Sequence, residues 1–360
     1  MKYLLGIDLG TSYFKAGIYD EALNLKGIGR VCVEKFHGNG TLCELSSESF
    51  ASLVKECINQ ACKNAEISPV QIKAIGYSSQ ANSFILLDKQ NQPLTPMILW
   101  PDNRAKTIHP NVMQIWNEKE FLQKTAIGIE PSHQFCINKL LWFRQNTPAI
   151  WNRTATIMTI SDYLVYLLTG KKAGDMGTAS LLALMDCRTG KWWDKAFDIL
   201  EIDQQLLAPR FAVGTKIGQA NSDFAASVGL KPDTSFYLGS LDHHIAALGA
   251  GLGKNADISE STGTVLACVN FNDRYAPQKN ICISPWKDGK FCQLVFNENG
   301  ASSLEWYQKK FASEYSIEEL ITMAEKSASS GGLTAKPAAF KYASREEAFC
   351  GISSKHTHGN

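Results

Sequence analysis

The sequence lacks the features that would place it in several broad classes of protein. Its 36 basic and 35 acidic residues leave a net charge of +1, so no overall charge attracts it to nucleic acid or to an anionic membrane. No run of like charges is long enough to act as an interaction tail, and no apolar stretch approaches the roughly 18 residues that a membrane span requires. We therefore expect no nucleic-acid partner and no membrane association.

Cysteine occurs ten times, but never in the spacing that binds zinc or forms a redox pair. The residues are scattered, and no two of them form a C-x-x-C motif. Scattered thiols of this kind are most simply small buried apolar side chains. The chain opens on a predicted strand and not on a charged and then apolar leader. Together these features predict a reducing, cytoplasmic location.

What the sequence does contain is an apolar pattern typical of two domains or of one large domain. Hydrophobic residues make up 44% of the 360 residues, which is ample for a core. Residues 1–90 alternate several strand patterns with one helix pattern at residues 46–65. Further helix patterns cover residues 137–147 and 155–169, and Gly170 stops the second of them. This alternation predicts an α/β fold.

The most informative stretch is residues 4–15, LLGIDLGTSYFK. Two apolar runs flank a turn, which predicts a hairpin with Asp8, Thr11 and Ser12 at or near its tip. Gly10 lets a ligand approach the backbone closely. Hydroxyl and amide donors beside one carboxylate suit a phosphate with its divalent metal. An ordinary hairpin turn also selects glycine, serine and threonine, so both interpretations stay open from these residues alone.

Two later segments place polar side chains after predicted strands. Residues 96–104, PMILWPDNR, carry Trp100, Asp102 and Arg104, a set that suits contact with a sugar or a polyol. The alternative is a helix N-cap with a salt-bridged arginine. Asp242 lies between a predicted strand and a small-residue helix, where a general base and a helix cap are again the two alternatives.

A second turn is similar to the first. The sequence ESTGT at residues 260–264 is flanked by apolar runs, as is DLGTS at residues 8–12. Two such turns about 250 residues apart indicate an internal duplication, with a cleft between the halves. Chance similarity between two short turns is the alternative.

An ordered set of seven motifs resembles a known family. The motifs are G-I-D-L-G-T-S-x-x-K at 6–15, S-x-Q-x-x-S ending at 83, I-L-W-x-D-x-R at 98–104, D-Y-L-x-x-x-L-T-G at 162–170, A-S-x-x-x-L-x-D at 179–186, L-D-H-H-x-x-A-L-G-A-G at 241–251, and S-T-G-T at 261–264. Each motif is weak alone. In this order they resemble the FGGY carbohydrate kinase family, and the xylulokinase-like and related ketose and polyol kinases most of all. The resemblance covers almost the whole chain.

The resemblance implies two actin-like domains of the ribonuclease H type around a cleft. Here they would be an N-terminal sugar-binding domain at residues 1–240 and a truncated C-terminal nucleotide-binding domain at residues 241–360. Members of the family continue past a G-[LI]-x-x-x-H segment, here residues 351–356, into a part that holds the adenosine. We therefore expect this 360-residue chain alone to bind ATP weakly and to turn over poorly. A homodimer is compatible with the resemblance.

The resemblance also implies a reaction and its residues. ATP with Mg²⁺ would be the phosphoryl donor, a ketose or polyol the acceptor, Asp8 the metal-binding carboxylate and Asp242 the general base. The residues implied to contact the ATP phosphates are Gly10, Thr11, Ser12, Lys15, Gly263, Thr264 and Gly300. The residues implied to contact the sugar are Gln80, Asn82, Trp100, Asp102, Arg104 and His243.

Two functions from different classes follow. The first is an ATP-dependent sugar kinase, which the general base and the two phosphate turns favour because a pure binding protein needs neither. The alternative is a truncated, non-catalytic sugar-binding or regulatory relative. Members of the family commonly carry Gln-Met-His or Gln-Arg-Glu where this chain has Gln80, Ala81 and Asn82. Neither xylulose nor glycerol is therefore assumed as the acceptor.

Overall fold

The computed structural model describes residues 2–262, 266–297, 300–335 and 349–350. The chain divides into two compact units. Unit 1 consists of Met1–Asp257 and Asn270–Gln293, and unit 2 consists of Ile258–Val269 and Leu294–Asn360. The boundary between residues 240 and 241 that the sequence suggested falls inside unit 1. Asp242 and the helix that it begins therefore belong to the same unit as the N-terminal hairpin.

The chain contains many strands, and several of them are only two residues long. The described strands are β1 Tyr3–Leu9, β2 Tyr13–Tyr19, β3 Leu25–Cys32, β4 Glu44–Leu45, β5 Ile72–Ser79, β6 Phe84–Leu87, β7 Met97–Ile98, β8 Thr156–Thr159, β9 Gly174–Asp175, β10 Met185–Asp186, β11 Lys191–Trp192, β12 Arg210–Phe211, β13 Lys216–Gln219, β14 Ser235–Tyr237, β15 Ser240–Leu241, β16 Ser259–Thr262, β17 Leu266–Asn272, β18 Cys282–Pro285, β19 Phe291–Asn297, β20 Thr334–Ala335 and β21 Phe349–Cys350.

Helices cover the sheets of unit 1 and follow the strands of unit 2. The described helices are α1 Ser47–Asn64, α2 Pro110–Trp116, α3 Phe121–Thr125, α4 Cys136–Asn146, α5 Pro148–Trp151, α6 Ile160–Thr169, α7 Met176–Ser180, α8 Asp194–Leu200, α9 Asp223–Val228, α10 Asp242–Gly249, α11 Ala301–Phe311 and α12 Ile317–Lys326. Within the described ranges, none of them has both the length and the apolar character that a bilayer crossing requires.

The central sheet of unit 1 confirms the predicted hairpin and the α/β prediction. Its strand order is β13-β14-β5-β1-β2-β3, and β15 also pairs with β5. β1, β2 and β3 are antiparallel neighbours, whereas β5 runs parallel to β1, and β14 and β15 run parallel to β5. Residues of β1 and β2 alternate between buried and partly exposed positions, as a sheet with period two requires.

Helix α1 agrees with the helix predicted at residues 46–65. Its N-cap is Ser46, whose side chain accepts a hydrogen bond from the backbone N–H of Ser49 at 3.0 Å. Phe50 packs edge-on against Phe14 of β2, with ring centroids 5.4 Å apart. A Cβ on Gly29 would lie 2.0 Å from the carbonyl oxygen of Cys57, so glycine is what allows α1 to lie this close to β3.

The helix predicted at residues 155–169 was wrong over its first part. Residues Thr156–Thr159 form β8, which pairs antiparallel with β6, and α6 begins only at Ile160. A short, fully buried apolar run cannot be assigned by periodicity alone, and only its pairing with β6 shows that it is a strand. Thr159 then caps α6 through reciprocal hydrogen bonds with Asp162, and Gly170 ends the helix at a φ of 69°.

Unit 2 contains a second antiparallel pair of strands. Ser259 lies opposite Val269 and Thr262 lies opposite Leu266, so β16 and the first part of β17 are antiparallel neighbours, as β1 and β2 are in unit 1. The predicted turn, with Gly263 and Thr264, lies outside the described residues. The similarity that suggested an internal duplication thus extends to the strands that precede and follow these residues.

Candidate active site

Three parallel strands of unit 1 end at the same edge of the central sheet. Asp8 of β1 lies opposite Ser78 of β5, and Ser78 lies opposite Ser240 of β15. Ser78 Oγ donates a hydrogen bond to Asp8 Oδ1 at 2.6 Å, and Lys15 Nζ lies 3.2 Å from Asp8 Oδ2. Ligands commonly bind at the carboxyl ends of parallel strands. This edge is therefore the first candidate for the site.

Asp242 follows β15 directly and is the first residue of α10. The N-cap position is Leu241, and no side chain caps the helix, so Asp242 does not have the capping role that the sequence left open. Its Oδ1 accepts a hydrogen bond from the backbone N–H of His243 at 2.7 Å. Burial raises the pKa of Asp242, and the negative charge of Asp8 adds to that increase against the opposing effect of His243.

The two carboxylates fit a magnesium ion that is held mainly by water and phosphate. The charge of Asp8 contributes to the raised pKa of Asp242, and a divalent cation relieves repulsion of this kind between carboxylates. Magnesium is usually bound through one or two carboxylates together with waters and substrate phosphates. Across the described part of the chain, no three or more His, Cys, Asp or Glu residues are grouped to hold a metal. The described residues therefore do not form a metal site made only of these side chains.

The Thr11 side chain connects the hairpin turn to two neighbouring loops. Trp100 Nε1 donates to Thr11 Oγ1 at 2.7 Å, and Thr11 Oγ1 donates to Gln80 Oε1 at 3.4 Å. Ser83 Oγ also donates to Gln80 Oε1, at 2.9 Å, and accepts from the backbone N–H of Trp100 at 2.9 Å. The structure therefore joins a residue predicted to bind phosphate to two residues predicted to bind sugar.

This network changes which groups of the turn can meet an anion. The Thr11 hydroxyl is occupied by Trp100 and Gln80. The backbone N–H groups of Thr11 and Ser12 donate no hydrogen bond to the described residues. A Cβ on Gly10 would lie 2.7 Å from the carbonyl oxygen of Tyr13, so the turn requires glycine there. The available phosphate donors of the turn are thus its amides and Lys15.

Asp102 and Arg104 form a buried ion pair whose hydrogen-bond partners lie within the protein. Asp102 is 0% exposed; its Oδ2 accepts from the N–H of Cys43 at 2.7 Å, and its Oδ1 accepts from Arg104 Nε at 2.7 Å. Arg104 Nη2 is also ion-paired with Glu44. Burial alone would raise the pKa of Asp102, but the hydrogen bonds from Arg104 and Cys43 outweigh it, so the pKa lies below its ordinary value. The alternative of a helix N-cap with a salt-bridged arginine is found only in part: the salt bridge is present, but Asp102 caps no helix, since α2 begins only at Pro110.

Comparison with known proteins identifies the family. A model of the N-terminal domain of the FGGY family of carbohydrate kinases matches residues 3–249. The chain belongs to the FGGY family. The matched range contains every described residue of the strand-end site, Asp8 and Asp242 included. The prediction of the family from its ordered motifs is thereby confirmed.

Individual FGGY proteins resemble the chain over most of its length. Xylulose kinase of Lactococcus lactis subsp. lactis is 27% identical over 334 residues, which are 89% of this chain and 64% of that protein. Autoinducer-2 kinase of Escherichia coli is 28% identical over 278 residues, 73% of this chain and 50% of that protein. The crystal structure of xylulose kinase from Rhodospirillum rubrum superposes with a TM-score of 0.87 at 21% identity, covering 99% of this chain and 74% of that one.

These comparisons establish the fold and the extent of the likeness. The FGGY chain has the actin-like, ribonuclease H-type α/β fold of its structural neighbours, as the sequence predicted. It spans about two thirds of the length of the xylulose kinase of Lactococcus lactis, of which 64% is covered.

The remaining predicted residues of this FGGY chain lie in three places. Asn82 has a φ of 59° and its Oδ1 accepts from the N–H of Cys136 at 3.0 Å, which ties its loop to the start of α4. His243 is partly buried beside Asp242. Gly300 is the N-cap of α11 in unit 2. Gly263 and Thr264 lie outside the described residues.

Two further residues of the site were missed at the level of sequence. Ser78 begins the S-x-Q-x-x-S motif but was given no role, although its position opposite Asp8 follows once β1 and β5 are aligned in parallel. Lys139 lies within the helix predicted at residues 137–147 and was not singled out, yet its ammonium group contacts the backbone of Trp100. A lysine at a position where the helix faces the core is the signal that could have found it.

Proposed function

We propose that this chain carries the acceptor side and part of the phosphate side of an ATP-dependent sugar kinase, which phosphorylates a hydroxyl of a ketose or a polyol. The observation that carries the proposal is the pair of carboxylates at the ends of β1 and β15, the two strands that flank β5 at this edge of the sheet. Asp8 is held by Ser78 and Lys15, while Asp242 follows β15 and has a raised pKa. Membership of the FGGY family supports the reaction class.

Asp242 is the proposed general base. A sugar hydroxyl has a pKa far above neutrality, so a carboxylate must accept its proton as the bond from oxygen to phosphorus forms. Asp242 Oδ1 is occupied by the N–H of His243, whereas Oδ2 accepts no hydrogen bond from the described residues. Oδ2 is therefore the atom that we expect to take the proton. A raised pKa makes the ionised carboxylate a stronger base once it is deprotonated.

The hairpin of β1 and β2 is the proposed binding site for the ATP phosphates. Its amides at Thr11 and Ser12 and the ammonium group of Lys15 are the groups available to phosphate oxygens. Asp8 would hold Mg²⁺, which neutralises charge on the phosphates when it is bound. Gly263, Thr264 and Gly300 remain predicted phosphate contacts, proposed from the resemblance alone.

Five of the six proposed sugar contacts now divide into two groups, while the sixth, Asn82, accepts a hydrogen bond from the N–H of Cys136 and ties its loop to α4. Gln80, Trp100 and His243 lie in or beside the network at the strand ends, and they are our candidates for direct contact with the acceptor. Asp102 and Arg104 bond mainly to each other and to buried neighbours, so we assign them to holding the loop that carries Trp100. The nine cysteines whose side chains the structure describes are free thiols, which suits the cytoplasmic location proposed for this activity.

A coupled assay of ADP release tests the proposal. The chain is mixed with millimolar ATP and Mg²⁺ and a panel of ketoses and polyols. We expect at least one acceptor to support ADP release, and we expect that release to be lost in Asp242→Asn. Calorimetric binding of a sugar with no turnover on any acceptor would instead support the non-catalytic alternative. Isothermal titration with ATP tests the separate expectation of weak nucleotide binding, which micromolar affinity would contradict.

A further inference from the structure

Lys139 is a charged residue in the core of unit 1. It lies on α4 and is 0% exposed. Burying an ammonium group costs free energy unless hydrogen bonds or an opposite charge compensate. Its Nζ donates to two backbone carbonyl oxygens, those of Leu99 at 3.1 Å and Trp100 at 2.8 Å. The side chain therefore has specific partners and does not simply fill space.

The charged and titratable groups around Lys139 leave these carbonyls as its main partners. Asp102 and Arg104 act on it from the loop after β7, and they are paired with each other. The thiols of Cys43 and Cys136 act on it from the segment before β4 and from its own helix. No carboxylate within the described residues forms an ion pair with Lys139 itself. Burial lowers the pKa of Lys139 to about 8.

The two carbonyls belong to the segment that positions Trp100. The backbone N–H of Trp100 donates to Ser83 Oγ at 2.9 Å, and its indole Nε1 donates to Thr11 Oγ1 at 2.7 Å. Trp100 is thus held at its amide, its carbonyl and its ring. Of these three contacts, the one at the carbonyl comes from the buried ammonium group.

We infer that Lys139 is a positioning residue: its ammonium group fixes the backbone of Leu99 and Trp100, and through the Trp100 indole it sets the position of Thr11 in the hairpin turn. The consequence for phosphoryl transfer rests on the proposed function. The series of contacts from Lys139 to Thr11 does not depend on the proposed function. It can therefore be tested even in a chain that catalyses no phosphoryl transfer.

Fluorine NMR of the chain labelled with 5-fluorotryptophan provides the test. The sequence has eight tryptophans, and Trp100→Phe assigns one resonance among them. Lys139→Met removes the charge while keeping a long unbranched side chain. The matched control is Lys171→Met, because Lys171 Nζ also donates to a backbone carbonyl, that of Ile217 at 2.9 Å, but it is exposed.

We expect the Trp100 resonance to shift or broaden in Lys139→Met and to stay in place in Lys171→Met. A folded Lys139→Met chain, as judged by circular dichroism, with an unchanged Trp100 resonance would overturn the inference. If that variant does not fold, titration of the wild-type chain decides. The Trp100 resonance should move with a midpoint near pH 8. A resonance that stays still as the pH is raised, up to the pH at which circular dichroism shows unfolding, would overturn the inference.

The same variants separate this inference from the proposed function. In a chain that turns over, we expect Lys139→Met to lower kcat/KM by roughly tenfold or more, because it removes both charge-assisted hydrogen bonds of the ammonium group. A shifted Trp100 resonance in a chain that phosphorylates no sugar would support the positioning role and count against the kinase proposal alone.

Discussion

Asp242 and Asp102 are two aspartates of unit 1 with opposite surroundings. Asp102 is 0% exposed, and Arg104 and the N–H of Cys43 occupy both of its carboxylate oxygens. Asp242 is partly buried, and within the described residues only its Oδ1 accepts a hydrogen bond. The pKa of Asp102 is therefore lowered, and the pKa of Asp242 is raised.

This difference separates a structural carboxylate from one that is available for chemistry. A carboxylate whose ionised form is hydrogen-bonded inside the protein stabilises the fold, and protonating or removing it costs free energy of folding. A carboxylate whose ionised form lacks compensation lowers stability while it stays charged, but it retains an oxygen that can accept a proton. The following variants are ordered from the largest expected effect to the smallest.

Asp242→Asn should have the largest effect on turnover and little effect on the fold. Loss of a general base lowers rates by roughly 10²–10⁴-fold. Because the pKa of Asp242 is raised, its ionised form costs folding free energy at neutral pH, so the neutral amide should leave the melting temperature unchanged or higher. ADP release and thermal unfolding measure the two parts. Asp198→Asn, an exposed change on α8, is the control. A stable variant with normal turnover would contradict the assignment.

Asp102→Asn should show the reverse pattern. Removing one partner of a buried ion pair costs about 3–5 kcal/mol, because it leaves an incompletely paired charge at Arg104. Denaturant unfolding should show this loss in full. The control is Asp233→Asn, which breaks the Lys73–Asp233 pair in which the aspartate side chain is 63% exposed. That change should cost no more than about 1 kcal/mol. Equal losses of unfolding free energy in the two variants would contradict the structural role of Asp102.

Acidification should abolish the proposed phosphoryl transfer at a higher pH than the one at which the chain unfolds. Asp242 must be ionised to act as a base, so kcat/KM should fall about tenfold per pH unit below a pKa that lies above the ordinary value of 3.8. Asp102 has a lowered pKa, so its contribution to stability is complete above 3.8 and is lost only as the pH falls through that lower value. A pH–rate profile measured alongside circular dichroism should separate the two steps. Simultaneous loss of rate and structure would contradict the comparison.

Thr11→Val should produce the smallest effect. It removes the acceptor of the Trp100 indole N–H and the donor to Gln80, and leaving such a group unpaired costs about 1–3 kcal/mol. Chemical denaturation measures the cost. Ser12→Ala is the matched control, because the Ser12 hydroxyl makes no hydrogen bond to the described residues, and it should change stability by less than about 0.5 kcal/mol. If Ser12→Ala lowered the free energy of unfolding as much as Thr11→Val or more, the proposed role of the Thr11 hydroxyl in the network would be contradicted.

Local patterns predicted the elements that depend on neighbouring residues. The hairpin of β1 and β2, helix α1 with its Ser46 cap and the end of α6 at Gly170 agree with the structure. The strand β8 was mistaken for helix because its apolar residues suit either element and its partner β6 lies far away in the sequence. Likewise, Ser78 could not be placed beside Asp8 before the parallel pairing of β1 and β5 was known.

The sequence by itself determined the hairpin, the position of Asp242 between a strand and a helix, and the family, because periodicity and ordered motifs are properties of the chain alone. Only the tertiary structure decided which carboxylate has an available oxygen. Asp102 is neutralised by Arg104 beside it and by the backbone of distant Cys43, and Trp100 is held by Thr11 and Lys139 from two other elements. Burial and pairing between distant segments set the pKa and the availability of each group, and neither can be read from its neighbours in sequence.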